Sequence, residues 1–276
     1  MLRQRVITAL ALLAVLLPLL FHSRPEPFLV FSLLMVSAGA WEWGRINGWS
    51  PRASVAAGLV FGGVMALWWW LMGLALPVYV WVLPAVLWVV GGGLLLRMGV
   101  PGWGKLASGL RISAGFVALA FAWVAMAQAR TAGINFLLSV FFLVWAADVF
   151  AYFGGRAWGR RKLAPTISPG KSWAGAYTGA VGVVVVATVW MWVDRTWVLD
   201  SPSVYSRLWQ ASPLGGTLAL LGLAAMSVVG DLVESLVKRS AGVKDSSQLL
   251  PGHGGVLDRI DALLPVLPLV ALLMSL

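Results

Sequence analysis

Thr217–Ser240 reads TLALLGLAAMSVVGDLVESLVKRS. Up to Gly230 the stretch is apolar or small, and with its flanks it is long enough to cross a bilayer as one helix. Its last part then carries Asp231, Glu234, Ser235 and Lys238, which follow i, i+3, i+4, i+7 spacing and so fall on one helical face. A carboxylate in hydrocarbon costs several kcal/mol unless it is paired, hydrated or bound to a cation, so this face is expected to look into a cavity and away from lipid. Glu234 and Lys238 are an i, i+4 pair that also suits a plain structural ion pair. Asp231 has no basic residue at three or four positions to either side, which makes it the stronger functional candidate.

The rest of the chain agrees with a membrane reading. Of its 276 residues 60% are apolar and only 11% charged, against about 25% charged in soluble domains; the mean hydropathy is +0.88. That leaves too little polar surface for a soluble enzyme, and it excludes a disordered chain and a nucleic-acid-binding domain of the usual kind, so no nucleic-acid partner is expected. With no cysteine, disulfides, thiolate metal ligands and a cysteine nucleophile are excluded. The expected fold is all-α, a polytopic transmembrane helical bundle forming one domain over residues 1–276. Nine segments are read, near 5–22, 27–46, 53–72, 75–96, 109–129, 134–155, 173–193, 214–239 and 256–276. The third and fourth are divided by a short turn at Gly73 and Pro77. The N-terminal run has a basic start but no small-residue cleavage site after it, and reads as a retained span. The net charge is +10. Placing the N-terminus inside puts 15 of the 20 Lys and Arg residues on the cytoplasmic side, which selects an N-in, C-out orientation.

Residues 1–130 read as hydrophobic spans, whereas residues 134–276 hold most of the unusual chemistry. Five of the ten acidic residues fall between 231 and 261, namely Asp231, Glu234, Asp245, Asp258 and Asp261. Between them Pro251-Gly252-His253-Gly254-Gly255 cannot continue a helix. Its glycines allow a ligand close to the backbone, and a loop leading into a helix N-terminus is a natural phosphate site. Asp258 and Asp261 are three apart and share a face of the helix that follows. With Asp231 they make an all-oxygen donor set, which suits Mg²⁺ over zinc in a chain with no Cys and two His. Helix capping by the acids, with Arg259 as partner, explains Asp258 or Asp261 singly.

A second polar group lies upstream. Asp148 stands near the end of its span, and the basic run Arg156, Arg160, Arg161, Lys162 follows, then Ser168-Pro169-Gly170-Lys171-Ser172-Trp173. This loop is suited to nucleotide phosphates or an anionic lipid headgroup. Arg160, Arg161 and Lys162 also serve as an ordinary cytoplasmic anchor.

The run Ser235-Leu236-Val237-Lys238-Arg239, then Lys244-Asp245, then Pro251-Gly252-His253-Gly254-Gly255-Val256-Leu257-Asp258-Arg259-Ile260-Asp261 resembles the signature of the phosphatidate cytidylyltransferase (CDP-diacylglycerol synthase) family. The Asp148–Trp173 region resembles it too. Ala174 is a departure, since many members carry an acidic or amide residue there. The resemblance implies a Mg²⁺-dependent, multi-span enzyme of the bacterial inner membrane, with its site on the cytoplasmic side. Its substrates would be CTP and phosphatidate, its products CDP-diacylglycerol and pyrophosphate. On that basis Asp231 and Asp258 are assigned to Mg²⁺, with Asp261 and Asp148 either as further ligands or as groups that support the ligands. Lys238, Arg239, Lys244 and Arg259 would neutralise phosphates, with Ser168 and Lys171 also on the substrate. His253, Gly254 and Gly255 would shape the phosphate loop. A transporter, a different phosphorylated lipid such as a polyprenol phosphate, and a homodimer stay open.

Overall fold

The computed structural model describes residues 2–276, and it is a bundle of helices with one small hairpin. In chain order the helices are α1 (Leu2–Leu20), α2 (Glu26–Ile46), α3 (Pro51–Met72), α4 (Val78–Val86), α5 (Gly93–Lys105), α6 (Ser108–Ala132), α7 (Ile134–Trp158), α8 (Trp173–Thr196), α9 (Val204–Ala211), α10 (Pro213–Ser240), α11 (Leu257–Ile260) and α12 (Leu263–Ser275). A π turn over Leu87–Gly92 joins α4 to α5. Strands β1 (Lys162–Ala164) and β2 (Ser168–Ser172) pair antiparallel, Lys162 opposite Ser172 and Ala164 opposite Ser168.

Among the described residues seven helical segments are long and apolar enough to cross a membrane: Glu26–Ile46, Pro51–Met72, Val78–Lys105, Ser108–Ala132, Ile134–Trp158, Trp173–Thr196 and Pro213–Ser240. The other two expected spans are shorter apolar helices, Val6–Leu20 and Leu263–Ser275. Helix starts follow local chemistry. Ser50 accepts from the Ala53 N–H at 3.3 Å, with Pro51 in the first turn. Ser172 caps α8 through Gly175 N–H at 3.2 Å and Ser212 caps α10 through Gly215 N–H at 3.1 Å. Each satisfies an N–H that the helix itself cannot.

Three features depart from the expectation. The hairpin interrupts an otherwise all-helical chain, and α9 lies in a region read as a connection. The segment expected as one helix over 256–276 is split into α11 and α12. Pro265 supplies the reason: it has no N–H, so the carbonyl four residues earlier, that of Asp261, loses its helical partner.

That break positions the site. A Cβ on Gly230 of α10 would stand 2.3 Å from the Asp261 carbonyl oxygen and 2.8 Å from the Pro265 ring. Only glycine lets α10 come this close, and the approach brings Asp231, the next residue, against the α11–α12 junction. The most extensively packed helix pair, α7 and α8, uses the same device. Cβ atoms on Gly175 and Gly179 would lie 2.8 Å and 2.7 Å from the Ala151 and Ala147 carbonyls. This spacing of small residues is how membrane helices gain contact without a hydrophobic driving force. The core around α2, α6, α7, α10 and α12 is apolar and includes the fully buried Trp81 and Trp123. Leu59, Trp70 and Leu214 are strongly exposed, as lipid-facing residues are.

Candidate active site at one end of the bundle

The polar stripe on α10 ends in a buried ionic cluster. Lys238 pairs with Glu234 one turn earlier and with Asp258 Oδ1 at 2.5 Å. Glu234 and Lys238 are both buried, and Glu234 Oε1 has no hydrogen-bond partner. Asp231 is more open. Its Oδ1 accepts from Ser235 Oγ at 3.3 Å, and its Oδ2 pairs with Lys171 Nζ at 2.6 Å. Lys171 therefore reaches the stripe from β2, and Ser168 lies on the same short strand. Asp148 of α7 interacts electrostatically with both Lys171 and Asp231, and Asp261 with Asp231 and Lys171. Four residues the sequence placed far apart, 148, 171, 231 and 261, thus share one neighbourhood.

The loop after α10 is built around two carboxylates. Asp258 Oδ2 accepts from Gly255 N–H at 2.7 Å, Ser246 N–H at 2.9 Å and Ser246 Oγ at 3.0 Å. Burial opposes ionisation of Asp258, but Lys238 and the two N–H groups overcome it and hold the carboxyl below its ordinary value of 3.8.

The other carboxylate is Glu42 of α2, fully buried and not singled out by the sequence reading. Its Oε1 accepts from Ser247 Oγ at 2.5 Å and Val256 N–H at 2.9 Å. Oε2 accepts from Leu257 N–H at 2.8 Å and lies 3.1 Å from Ser246 Oγ, whose single proton is shared between Glu42 and Asp258. Nearby, Arg45 donates to the Ser246 carbonyl at 3.0 Å. Glu42 thus serves the free N–H groups at the start of α11 from a distant part of the chain. The signal for it was weaker than for Asp231: Glu42 is the one carboxylate in the largely apolar segment Leu34–Ile46, but Arg45 stands three residues on and suits a local pair.

The glycines take their meaning from these acids. Gly254 has φ +83°, and a Cβ there would meet Asp258 Oδ2 at 2.5 Å. A Cβ on Gly255 would meet Ser246 Oγ at 2.1 Å and Glu42 Oε1 at 2.3 Å. The close approach that the sequence reserved for a ligand is made here by the protein's own carboxylates. Arg259 donates from Nε and Nη2 to the His253 carbonyl at 3.0 Å and 2.6 Å, which closes the turn. The His253 ring is partly buried and its Nδ1 has no partner. Arg239 and Lys244 are exposed at the rim.

Among the described residues no three Asp, Glu or His side chains converge tightly enough to hold a metal ion. The donor chemistry nonetheless fits a hard divalent cation: Asp231 and Asp261 carry carboxylate oxygens, and Asp261 acts electrostatically on Glu234, whose Oε1 has no hydrogen-bond partner. Asp258, expected as a ligand, is taken up by Lys238, Ser246 and Gly255 in this arrangement.

The profile of the Cytidylyltransferase family matches residues 3–276. The chain is similar to a phosphatidate cytidylyltransferase of Pseudomonas aeruginosa, 39% identical over 99% of this chain and 97% of that protein. A Haemophilus influenzae protein of the same name is 36% identical over 97% of this chain and 96% of its own length. One from Brucella abortus is 35% identical, covering 98% and 92%.

Proposed function

The chain belongs to the cytidylyltransferase family, and from that premise we propose that it transfers CMP from CTP to phosphatidate, giving CDP-diacylglycerol and pyrophosphate. The observation that carries this reading is near full-length similarity to three proteins of that name, in a chain whose carboxylates and lysines gather at one end of a membrane bundle.

In the reaction a phosphate oxygen of phosphatidate forms a bond to the α-phosphorus of CTP. The bond from that phosphorus to the α–β bridging oxygen breaks, and its electrons leave with pyrophosphate. A phosphate monoester is already anionic near neutral pH, so no strong general base is needed. Positioning and charge neutralisation carry the rate. Asp231 and Asp261, with Asp148 beside them, are the groups that would hold Mg²⁺, which would supply positive charge for the triphosphate. Lys238 is kept charged and oriented by Glu234 and Asp258. Lys171, with Ser168 on the same strand, binds phosphate from the hairpin side, and Arg239 and Lys244 attract anions at the rim. Arg259 fixes the His253 turn, so His253, Gly254 and Gly255 shape the loop beside the reacting groups.

The topology of this reading is nine spans, counting Val6–Leu20 and Leu263–Ser275, with the N-terminus inside. The distribution of Lys and Arg supports it. The site then opens to the cytoplasm from a bacterial inner membrane, where CTP arrives from water and phosphatidate from the leaflet.

The test is turnover by the purified protein in lipid–detergent micelles with labelled CTP, phosphatidate and Mg²⁺. A lipid-soluble cytidine product and pyrophosphate, both lost on chelation and restored by Mg²⁺, are expected. Folded protein that makes no such product from phosphatidate would overturn the acceptor assignment.

A further inference from the structure

The outer side of α8 carries Trp173, Tyr177, Val181, Val184 and Thr188, all exposed and spaced by three or four residues. Such spacing puts them on one helical face, and in a membrane bundle an exposed face of this kind meets lipid. From Trp173 to Val184 it runs roughly 17 Å by helical rise, close to the hydrocarbon depth of one leaflet. The two aromatic rings at its start therefore stand at headgroup level, where such rings anchor membrane helices. Arg161 joins them from the hairpin side. Its guanidinium carbon lies 5.7 Å from the centre of the Trp173 ring, and its carbonyl accepts from Trp173 N–H at 3.1 Å. Trp173 in turn packs against Tyr177, ring centres 5.9 Å apart.

The charge at this spot is one-sided. No Asp or Glu occurs between Asp148 and Asp194. Arg160, Arg161 and Lys162 are consecutive and exposed, and among the described residues none of them pairs with a carboxylate. Lys171, on the paired strand β2, is spent differently: it turns inward to Asp231. The hairpin thus serves the candidate active site with Lys171 and leaves the Arg160–Lys162 run, which the functional reading does not use, at the lipid-facing side of α8.

From this geometry we infer that Arg161, Lys162, Trp173 and Tyr177 form a site for the headgroup of an anionic phospholipid that is not a substrate, its acyl chains lying along Val181 and Val184. Charge selects the occupant. The planar guanidinium fork of Arg161 suits the two non-bridging oxygens of a phosphodiester, and Lys162 adds a second positive charge. A zwitterionic lipid would bring its own cation into the same basic field, with no acid of this segment to receive it. The stack on Trp173 and the backbone hydrogen bond already hold Arg161 in place, so less ordering is lost when a lipid binds. The inference stands apart from the phosphatidate reading, because it uses none of the residues assigned to the reaction.

The experiment titrates phosphatidylglycerol into delipidated full-length protein in a neutral detergent and follows the first bound lipid by native mass spectrometry. Affinity is expected to fall roughly 25-fold in the double variant Arg161→Gln with Lys162→Gln, about fivefold for each charge removed near a headgroup. Arg24→Gln, an exposed charge in the turn between α1 and α2, should leave it at the wild-type level. Wild-type protein should also bind phosphatidylcholine more weakly than phosphatidylglycerol. Equal affinity for the two lipids, or a double variant that binds phosphatidylglycerol as wild type does, would overturn the site. A second measurement needs no variant. Phosphatidylglycerol carrying a diazirine close to its headgroup, irradiated with wild-type protein in phosphatidylcholine nanodiscs, should label β1 and the first turns of α8. Unlabelled phosphatidylglycerol should compete that label away. Labelling elsewhere, or a label at this spot displaced by CTP or by phosphatidate but not by phosphatidylglycerol, would assign the patch to a substrate and overturn the proposal.

Discussion

Two clusters of carboxylates lie toward opposite ends of α8, roughly 35 Å apart by the helical rise along it, and they are satisfied in different ways. At the far end Asp194 Oδ2 accepts from Ser203 N–H at 3.0 Å, Ser203 Oγ at 2.5 Å and Ser206 Oγ at 2.6 Å, while Oδ1 accepts from Asn135 at 2.9 Å. Asp200 accepts from the Ile134 and Asn135 N–H groups that open α7. Every one of these donors is neutral and built into the chain, so the cluster is a staple joining α7, α8 and α9. At the near end Asp231, Glu234 and Asp258 are met by the ammonium groups of Lys171 and Lys238. An ammonium on a flexible stem is a partner that a phosphate can draw away; a backbone N–H in a helix cap is not. The type of donor, more than the number of acids, separates a site from a staple. A transporter would need exchangeable charge at both ends, and the far end has the fixed kind.

The largest expected effect tests the exchangeable end. Asp231→Asn should lower kcat by about 10³-fold or more, several kcal/mol of lost charge stabilisation, with the protein still eluting as a folded species in detergent. Near-wild-type turnover would remove Asp231 from the machinery.

Glu42 blurs the contrast, because the near end contains a staple of its own. Glu42→Ala leaves the Val256 and Leu257 N–H groups without their acceptor and should lower kcat about 10²-fold by displacing the loop, in line with the cost of an ångström-scale misplacement. Glu42→Gln, which keeps the shape and one acceptor oxygen, should recover part of the rate. Equal loss in both variants would mean that the charge itself matters, and with it a role beyond holding the loop.

Asp194→Ala sharpens the contrast from the other side. Its apparent Tm in micelles should fall by about 5 °C or more as hydroxyl and amide donors lose a charged acceptor, while kcat and both KM values at a temperature where the variant is folded stay at wild-type levels. A selective change in the KM for CTP would contradict the reading of that end as purely structural.

The smallest effect is a pH dependence. Because the folded Asp258 carboxyl lies below its ordinary value of 3.8, its contribution to stability is complete above that value. It is lost as the pH falls through the lowered folded value. Thermal unfolding in micelles should therefore show an acid-side loss below about pH 4 that is reduced in Asp258→Asn; identical acid profiles would count against the Lys238–Asp258 pair as a stabilising contact.

Much of the site was legible in the chain. Asp231 stood out because charge in an apolar segment demands a reason, Lys238 because it shares the Asp231 stripe, Asp258 and Asp261 because they share a helical face after the glycine loop, and Lys171 because it sits in a loop suited to phosphates. Glu42 was not singled out, for Arg45 stands three residues on and its actual partners, Ser246, Ser247, Val256 and Leu257, lie some two hundred residues away. The split of the last segment was readable from Pro265, and the hairpin was not, since a three-residue strand paired with a five-residue one has no period to detect.

Hydrophobicity, charge distribution and the ordered motif from Ser235 to Asp261 determined by themselves that this is a helical membrane protein of the cytidylyltransferase family, because burial in lipid leaves a backbone few alternatives to the helix and because a charged residue there must be used. Tertiary structure alone decided which carboxylates are partnered only by neutral groups fixed in the chain and which also meet an ammonium group. It also joined α2 to the loop before α11. Those outcomes depend on side chains meeting across large separations in sequence, and helical periodicity carries no information about distances of that kind.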